Sequence, residues 1–236
     1  MKTQLRITLA TLGLLSTFSL PAADKAPKPD TWTETVTVPT EKFLAVGRND
    51  FFILEPGYQL VLEGKEDGKH ATLTITVLAE TKQIGDVETR VVEERELIGG
   101  QLAEVSRNFF AVGATSKNVY YFGEEVDMYK DGKLASHEGA WLAGTDGAKH
   151  GVLMPGQIKI GDRYYQEQAP KVAMDRAENV STDAVVKTPA GKFQRCLKTR
   201  ETTPLEAGTE YKFYAPGVGL VQDGNLKLVK SGFAKQ

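Results

Sequence analysis

Apolar and polar residues alternate with a period of two through most of the chain, and that alternation predicts strands. In ATLTITVLAE, Leu73, Ile75 and Val77 share one face, while Thr72, Thr74 and Thr76 share the other. Gly85-Asp86 turns this segment into VETRVVEEREL, which alternates again and is expected to send its charged residues outward. Gly99-Gly100 marks the next turn. QLAEVSRNFFAV, NVYYFGEEVDMY, IGDRYYQEQ, TDAVVKT, KFQRCLKTRET and TEYKFYA read as further strands. Asp131-Gly132, between MYK and KLA, predicts a two-residue hairpin with positive φ at both turn positions. Thr188-Pro189-Ala190-Gly191 reads as another tight turn. TWTETVTVP suits a short edge strand that Pro39 ends.

A helical period is almost missing. Lys171 to Asn179 is the candidate for a turn or two of helix. Glu138 to Gly156, which contains GTDGAKHGVLMPG, reads as a long irregular connection. The predicted fold is all-β with few short helical turns. It is antiparallel, and a curved sheet, an open barrel or a sandwich would each present one apolar face.

The 236 residues suit one β-rich domain, over residues 41–236. Residues 1–23 read as a secretory leader: Lys2 and Arg6 precede an uncharged stretch from Ile7 to Leu20, and Pro21-Ala22-Ala23 offers small residues for cleavage. Residues 24–40 form a Pro- and Lys-rich lead-in plus the edge strand. The expected location is periplasmic or secreted. No later apolar run is long enough to span a membrane as a helix. Removing Lys2 and Arg6 takes the net charge from −2 to −4, which argues against nucleic acid as a partner.

Candidate chemistry is sparse. The lone cysteine, Cys196, lies in an extended segment without a CxxC partner and reads as a packed thiol. His70, His137 and His150 show no metal-ligand spacing. No GxSxG elbow, Walker A loop or helix-opening GxGxxG is present. Asp127, Asp131, Gly132 and Glu138 stand at the first, fifth, sixth and twelfth places of a calcium loop, but Tyr129 and Ala135 interrupt the frame and the flanks read as strands. Glu124, Asp127, Asp131 and Glu138 therefore make only a secondary metal candidate, for calcium or another divalent ion, and no cofactor is predicted. In YKFYAPGVGLVQDG no helix follows the glycines, so the stretch lacks the frame of a phosphate loop. Pro216-Gly217 fits the centre of a type II turn, and Gly219 is expected at a bulge or close approach.

The aromatic residues give the main candidate site. Tyr120-Tyr121 and Tyr164-Tyr165 must split across the two sheet faces. A concave apolar cleft near Tyr121, Trp141, Tyr164 and Tyr214 is the resulting expectation.

NDFFILEPGYQLVLEG, VETRVVEERELIGGQL, NVYYFGEEVDMYKDGKLASHEGAW and the terminal YKFYAPGVGLV resemble a group of uncharacterised exported bacterial β-rich proteins ending in a YAPGVGLV-type strand. The terminal pattern is also similar to the last strands of periplasmic open β-barrels of the lipoprotein-carrier type. The resemblance implies export and one β domain, and it carries no activity, ligand or catalytic residue. The missing catalytic motifs favour non-catalytic binding of a lipid, another apolar or amphipathic molecule, or an envelope protein. A metal-binding protein using the carboxylates at 124–138, and a hydrolase without a sequence motif, are the alternatives.

Overall fold

The computed structural model describes residues 31–33 and 41–234. The alternating segments become eighteen strands, and no helix occurs among the described residues. None of these residues forms a helix long and apolar enough to cross a membrane. In chain order the strands are β1 (Phe43–Leu44), β2 (Gly47–Asn49), β3 (Phe52–Leu54), β4 (Tyr58–Glu66), β5 (Lys69–Ile84) and β6 (Val87–Ile98). They continue with β7 (Gln101–Gly113), β8 (Val119–Lys130), β9 (Lys133–Ser136), β10 (Trp141–Leu142), β11 (Lys149–Met154) and β12 (Arg163–Tyr165). The last are β13 (Glu167–Gln168), β14 (Arg176–Thr188), β15 (Gly191–Thr202), β16 (Glu210–Ala215), β17 (Gly219–Asp223) and β18 (Leu226–Phe233).

All ladders between these strands are antiparallel, and the main path runs β12-β14-β15-β16-β17-β18-β4-β5-β6-β7-β8-β11-β13. Of the three predicted architectures, this is the open barrel: the sheet curls until its two end strands are separated in sequence only by Gln166. The seam between them stays unsealed. Beside it, Gln166 Nε2 donates to the Leu153 carbonyl of β11 at 3.4 Å, and within the β11–β13 pair Gln168 Nε2 donates to the His150 carbonyl at 3.0 Å. Gly151 allows the approach, since a Cβ there would lie 2.2 Å from the Gln166 carbonyl oxygen.

Hairpin chemistry follows the turn residues. Asp131 and Gly132 have φ of 51° and 73°, and Gly99 and Gly100 have 61° and 79°. Two expectations fail. Lys171 and Val172 lie in a turn, Ala173 makes an isolated bridge to Ala169, and Arg176 begins the long strand β14, because its ladder with β15 outweighs a short weak helix. The segment 138–156 is not wholly irregular: Lys149–Met154 pairs with both β8 and β13. Of the expected edge strand, Thr33 makes a single parallel bridge to Tyr164, and residues 34–40 lie outside the described part. The leader, residues 1–23, lies outside it too.

One end of the barrel is closed by the small β2–β3 sheet. The ring centroid of Phe52 sits 5.5 Å from that of Phe110, and the Gly217 amide donates to the Asp50 carbonyl at 2.7 Å. A second apolar cluster gathers Val91, Phe109, Tyr120, Phe122 and Val152 around the Phe43 ring. Tyr164 and Ala177 of the seam strands belong to this cluster too.

Candidate functional site

The barrel interior contains a cavity of about 300 Å³. Its lining follows from strand periodicity. Leu73, Ile75 and Val77 of β5 share one face, as their alternation predicts, and that face is the inward one. Cross-strand partners share a face, so register carries the inward set around the wall. Leu60 pairs with Ile75, Ile75 with Glu94, and Glu94 with Ser106.

The wall is polarised along the barrel axis. On β6 the inward residues pass from Val92 to Glu94 to Glu96. On β7, which runs the opposite way, the same axial direction reads Phe110, Asn108, Ser106, Glu104. β15 passes from Leu197 to Thr199 to Glu201, and β16, reversed, from Tyr214 to Lys212 to Glu210. β17 passes from Leu220 to Asp223. Every one of these strands turns apolar towards the β2–β3 end and ionisable towards the loop between β15 and β16. Thr203, Gly208 and Thr209 of that loop also line the cavity.

This corrects the expectation for VETRVVEEREL. Glu93 and Arg95 face outward, where they pair at 3.8 Å, but Glu94 lines the cavity. Glutamates at alternating positions mark a solvated face, and the wet end of a barrel interior is such a face as much as the outside is.

A bulge assembles the deep polar group. Asn108 pairs with Glu124 and Phe110 with Tyr121, so β8 holds one extra residue there. Tyr121 and Glu124 thereby point the same way although they stand three positions apart. Gly123 makes the bulge possible: its φ is 131°, and a Cβ would lie 2.3 Å from the Trp141 carbonyl oxygen. The Tyr121 hydroxyl donates to Asn108 Oδ1. Asn108 Nδ2 donates to the Val92 carbonyl at 3.3 Å and to Ser106 Oγ at 3.1 Å. Burial, and then the charges of Glu124, Glu167 and Glu94, push the Tyr121 hydroxyl well above its ordinary pKa. Glu124 and Glu167 are only 4% and 2% exposed.

A second polar group lies across the cavity. Lys212 Nζ is 3.2 Å from Glu201 and 3.5 Å from Asp223. Burial alone would lower its pKa, but the surrounding carboxylates, Asp223 and Glu201 foremost, raise it, so the ammonium stays charged. Glu201 also accepts from Thr199 Oγ1 at 3.2 Å and from Gln166 Nε2 at 3.3 Å. The Tyr214 hydroxyl is pushed up by burial first and by Glu201 next. Glu96 is pushed up to about 8, by burial and then by Glu66, Glu104 and Asp223. A side-chain hydrogen bond with Glu66 acts in the same direction.

Of the four aromatic candidates, Tyr121 and Tyr214 line the cavity. Trp141 packs behind Tyr121 with ring centroids 5.4 Å apart, outside the lining. Tyr164 is buried in the second apolar cluster and donates to Asn179 Oδ1 at 3.1 Å. Its strand, β12, is an end strand of the sheet.

The carboxylates at 124–138 are dispersed. Glu124 faces the cavity, Asp127 lies 2.8 Å from His137 Nδ1, Asp131 forms the hairpin tip and Glu138 is exposed. Among the described residues no group of three or more potential ligands is placed to hold a metal ion. The histidines lie apart as well. His70 is 3.5 Å from Glu63, and His150 sits among the rings of Phe43, Tyr120 and Phe122, where burial lowers its pKa. Cys196 is fully buried, and burial pushes its thiol up.

The Pro216-Gly217 turn forms as expected, with Gly217 at φ 72°. The bulge falls at Val221 rather than Gly219, since Phe213 pairs with Gln222 and Tyr214 with Leu220. Gly219, at φ 100°, lies against the cavity with Val218 and Leu220, so the turn also forms part of its wall. Sequence reading missed the inward acidic residues, above all Glu94, Glu167, Glu201 and Asp223. Their signal was a simultaneous switch from apolar to acidic at the same end of neighbouring strands, and it becomes visible only once the strand order is known. Compared with protein-family models, with curated proteins and with solved structures, the chain finds no match.

Proposed function

We propose that the protein binds an amphipathic small molecule inside its barrel, apolar part first, and does so in the cell envelope. The observation that carries this reading is the axial polarity of a cavity of about 300 Å³. Ligand sites are concave and largely apolar, with a few converging polar groups, and this volume falls at the small end of their range. The closed end offers Phe52, Leu60, Val92 and Phe110, which suit an alkyl chain or a ring. The ionisable end offers hydrogen-bonding partners for a polar head. The leader-like sequence of residues 1–23 supports export. The dispersed histidines and the shielded Cys196 supply no nucleophile with its base, which favours binding over catalysis.

The test uses N-phenyl-1-naphthylamine, a neutral dye that brightens in apolar surroundings. The purified protein should enhance its emission with saturation at one site per chain. Ile75→Trp fills the cavity and should abolish that site, whereas Thr74→Trp, on the outer face of the same strand, should leave it intact. Equal binding by both variants would place the dye elsewhere and refute the reading.

A further inference from the structure

Tyr214 presents the cavity with a polar group that the fold leaves unused. The residue is only 6% exposed, and it lines the cavity. It shares the inward face of β16 with Lys212, and its cross-strand partner on β17 is Leu220, another lining residue. On β15 it pairs with Leu197, so its neighbours across both ladders are leucines. The hydroxyl stands where that apolar wall ends. The charges that act on it most are Glu201, Lys212 and Asp223; Glu201, Lys212 and Asp223 all line the cavity. Yet the hydroxyl makes no hydrogen bond to any described residue, whereas Tyr58, Tyr121 and Tyr164 direct theirs to Val218, Asn108 and Asn179. Burial, and then Glu201, hold its pKa well above the ordinary value, so at neutral pH the group is an uncharged phenol with a proton to donate.

We infer that Tyr214 anchors the ligand by donating to an uncharged acceptor oxygen, so that the cavity takes a compact apolar molecule bearing a carbonyl, as in a ketone, ester or amide. The inference rests on the reading that the cavity binds an amphipathic molecule. A buried hydroxyl covered by pure hydrocarbon loses its hydration without return, whereas a ligand that supplies an acceptor restores the loss. A carbonyl oxygen only accepts, which complements a phenol with its proton still unused. An ionised carboxylate or phosphate head would need a counter-ion as well. Lys212, the cationic side chain of the described lining, is already shared between Glu201 and Asp223. The cavity of about 300 Å³ lies at the small end of ligand sites, so the apolar body is a single ring or a short chain.

Butyrophenone and butylbenzene have nearly the same shape and differ by a carbonyl in place of a methylene. Each is used to displace N-phenyl-1-naphthylamine from the wild type and from Tyr214→Phe, which keeps the ring. Loss of the hydroxyl should weaken butyrophenone about tenfold and leave butylbenzene unchanged or slightly tighter. Comparing each ligand between the two proteins cancels what the carbonyl loses on leaving water. A Tyr214 that merely shaped the wall would move both ligands together. In the unmodified protein, the stretch of an isotope-labelled carbonyl in bound butyrophenone should lie at lower frequency than in hexane. That measurement reads the hydrogen bond directly, even where the variant fails to fold. Equal weakening of both ligands, weakening of neither, or a hexane-like carbonyl stretch would overturn the anchor while the cavity reading survives. Failure of both compounds to displace the dye would overturn the anchor and the cavity reading together.

Discussion

Replacing Glu96 with Gln should stabilise the barrel in mild alkali and leave it almost unchanged in mild acid. The Glu96 carboxyl is pushed from an ordinary value of 4.5 up to about 8, first by burial and then by Glu66, Glu104 and Asp223. An acid whose folded pKa is raised holds a proton in the folded state that the unfolded chain has already released. Stability from this group is therefore complete below the unfolded pKa and declines as pH rises towards 8. The slope is about 1.4 kcal/mol per pH unit while the two states differ by a whole proton. From pH 5 to pH 8 that sums to an upper bound of about 4 kcal/mol. Glu96 is half-buried, and water reaching it screens part of the repulsion, so a loss of about 2 kcal/mol is expected. Glutamine keeps a donor towards Glu66 and never ionises, so the variant escapes the loss. Urea unfolding followed by tryptophan fluorescence, at constant ionic strength from pH 5 to pH 9, measures the difference directly. Titration of the other carboxylates is common to both proteins and largely cancels. A variant-minus-wild-type difference that stays flat across this range, or one that favours the wild type at pH 9, would refute the reasoning.

Gly123→Ala should cost about 3 kcal/mol or more in denaturant unfolding, because its Cβ would meet the Trp141 carbonyl oxygen at 2.3 Å. Gly217→Ala, with open space around its Cβ and φ at 72°, should cost only about 1 kcal/mol in the same assay. Tyr164→Phe removes the donor to the fully buried Asn179 and should cost about 1–2 kcal/mol without changing dye affinity. Cys196 should resist an aromatic disulfide reagent in buffer and react at once in urea, since the thiol is buried and its pKa raised.

Particular elements show how legible the fold was. Leu73, Ile75 and Val77 were correctly placed on one common face, because a central strand between β4 and β6 keeps a strict period of two there. Asp131-Gly132 was legible because the conformation it needs is local. Residues 149–154 were hidden: glycines and a proline flank them, and their partners β8 and β13 are chosen by the closing of the sheet. Glu94 was misplaced because charge indicates water without saying which side of the wall the water is on. Tyr121 and Glu124 were not seen as neighbours because the Gly123 bulge shifts the alternation by one residue.

The sequence alone determined what depends on neighbouring residues: strand propensity, the faces of each strand between bulges and the turn types. Those properties arise from backbone sterics and from a local repeat that each segment carries by itself. The tertiary structure decided which face encloses the cavity, that the acidic ends of β6, β7, β15, β16 and β17 meet at one mouth, and that Lys212 is shared between Glu201 and Asp223. These depend on strand order and on the curl of the whole sheet. They join residues as far apart as Glu94 and Glu201, which no local pattern can connect.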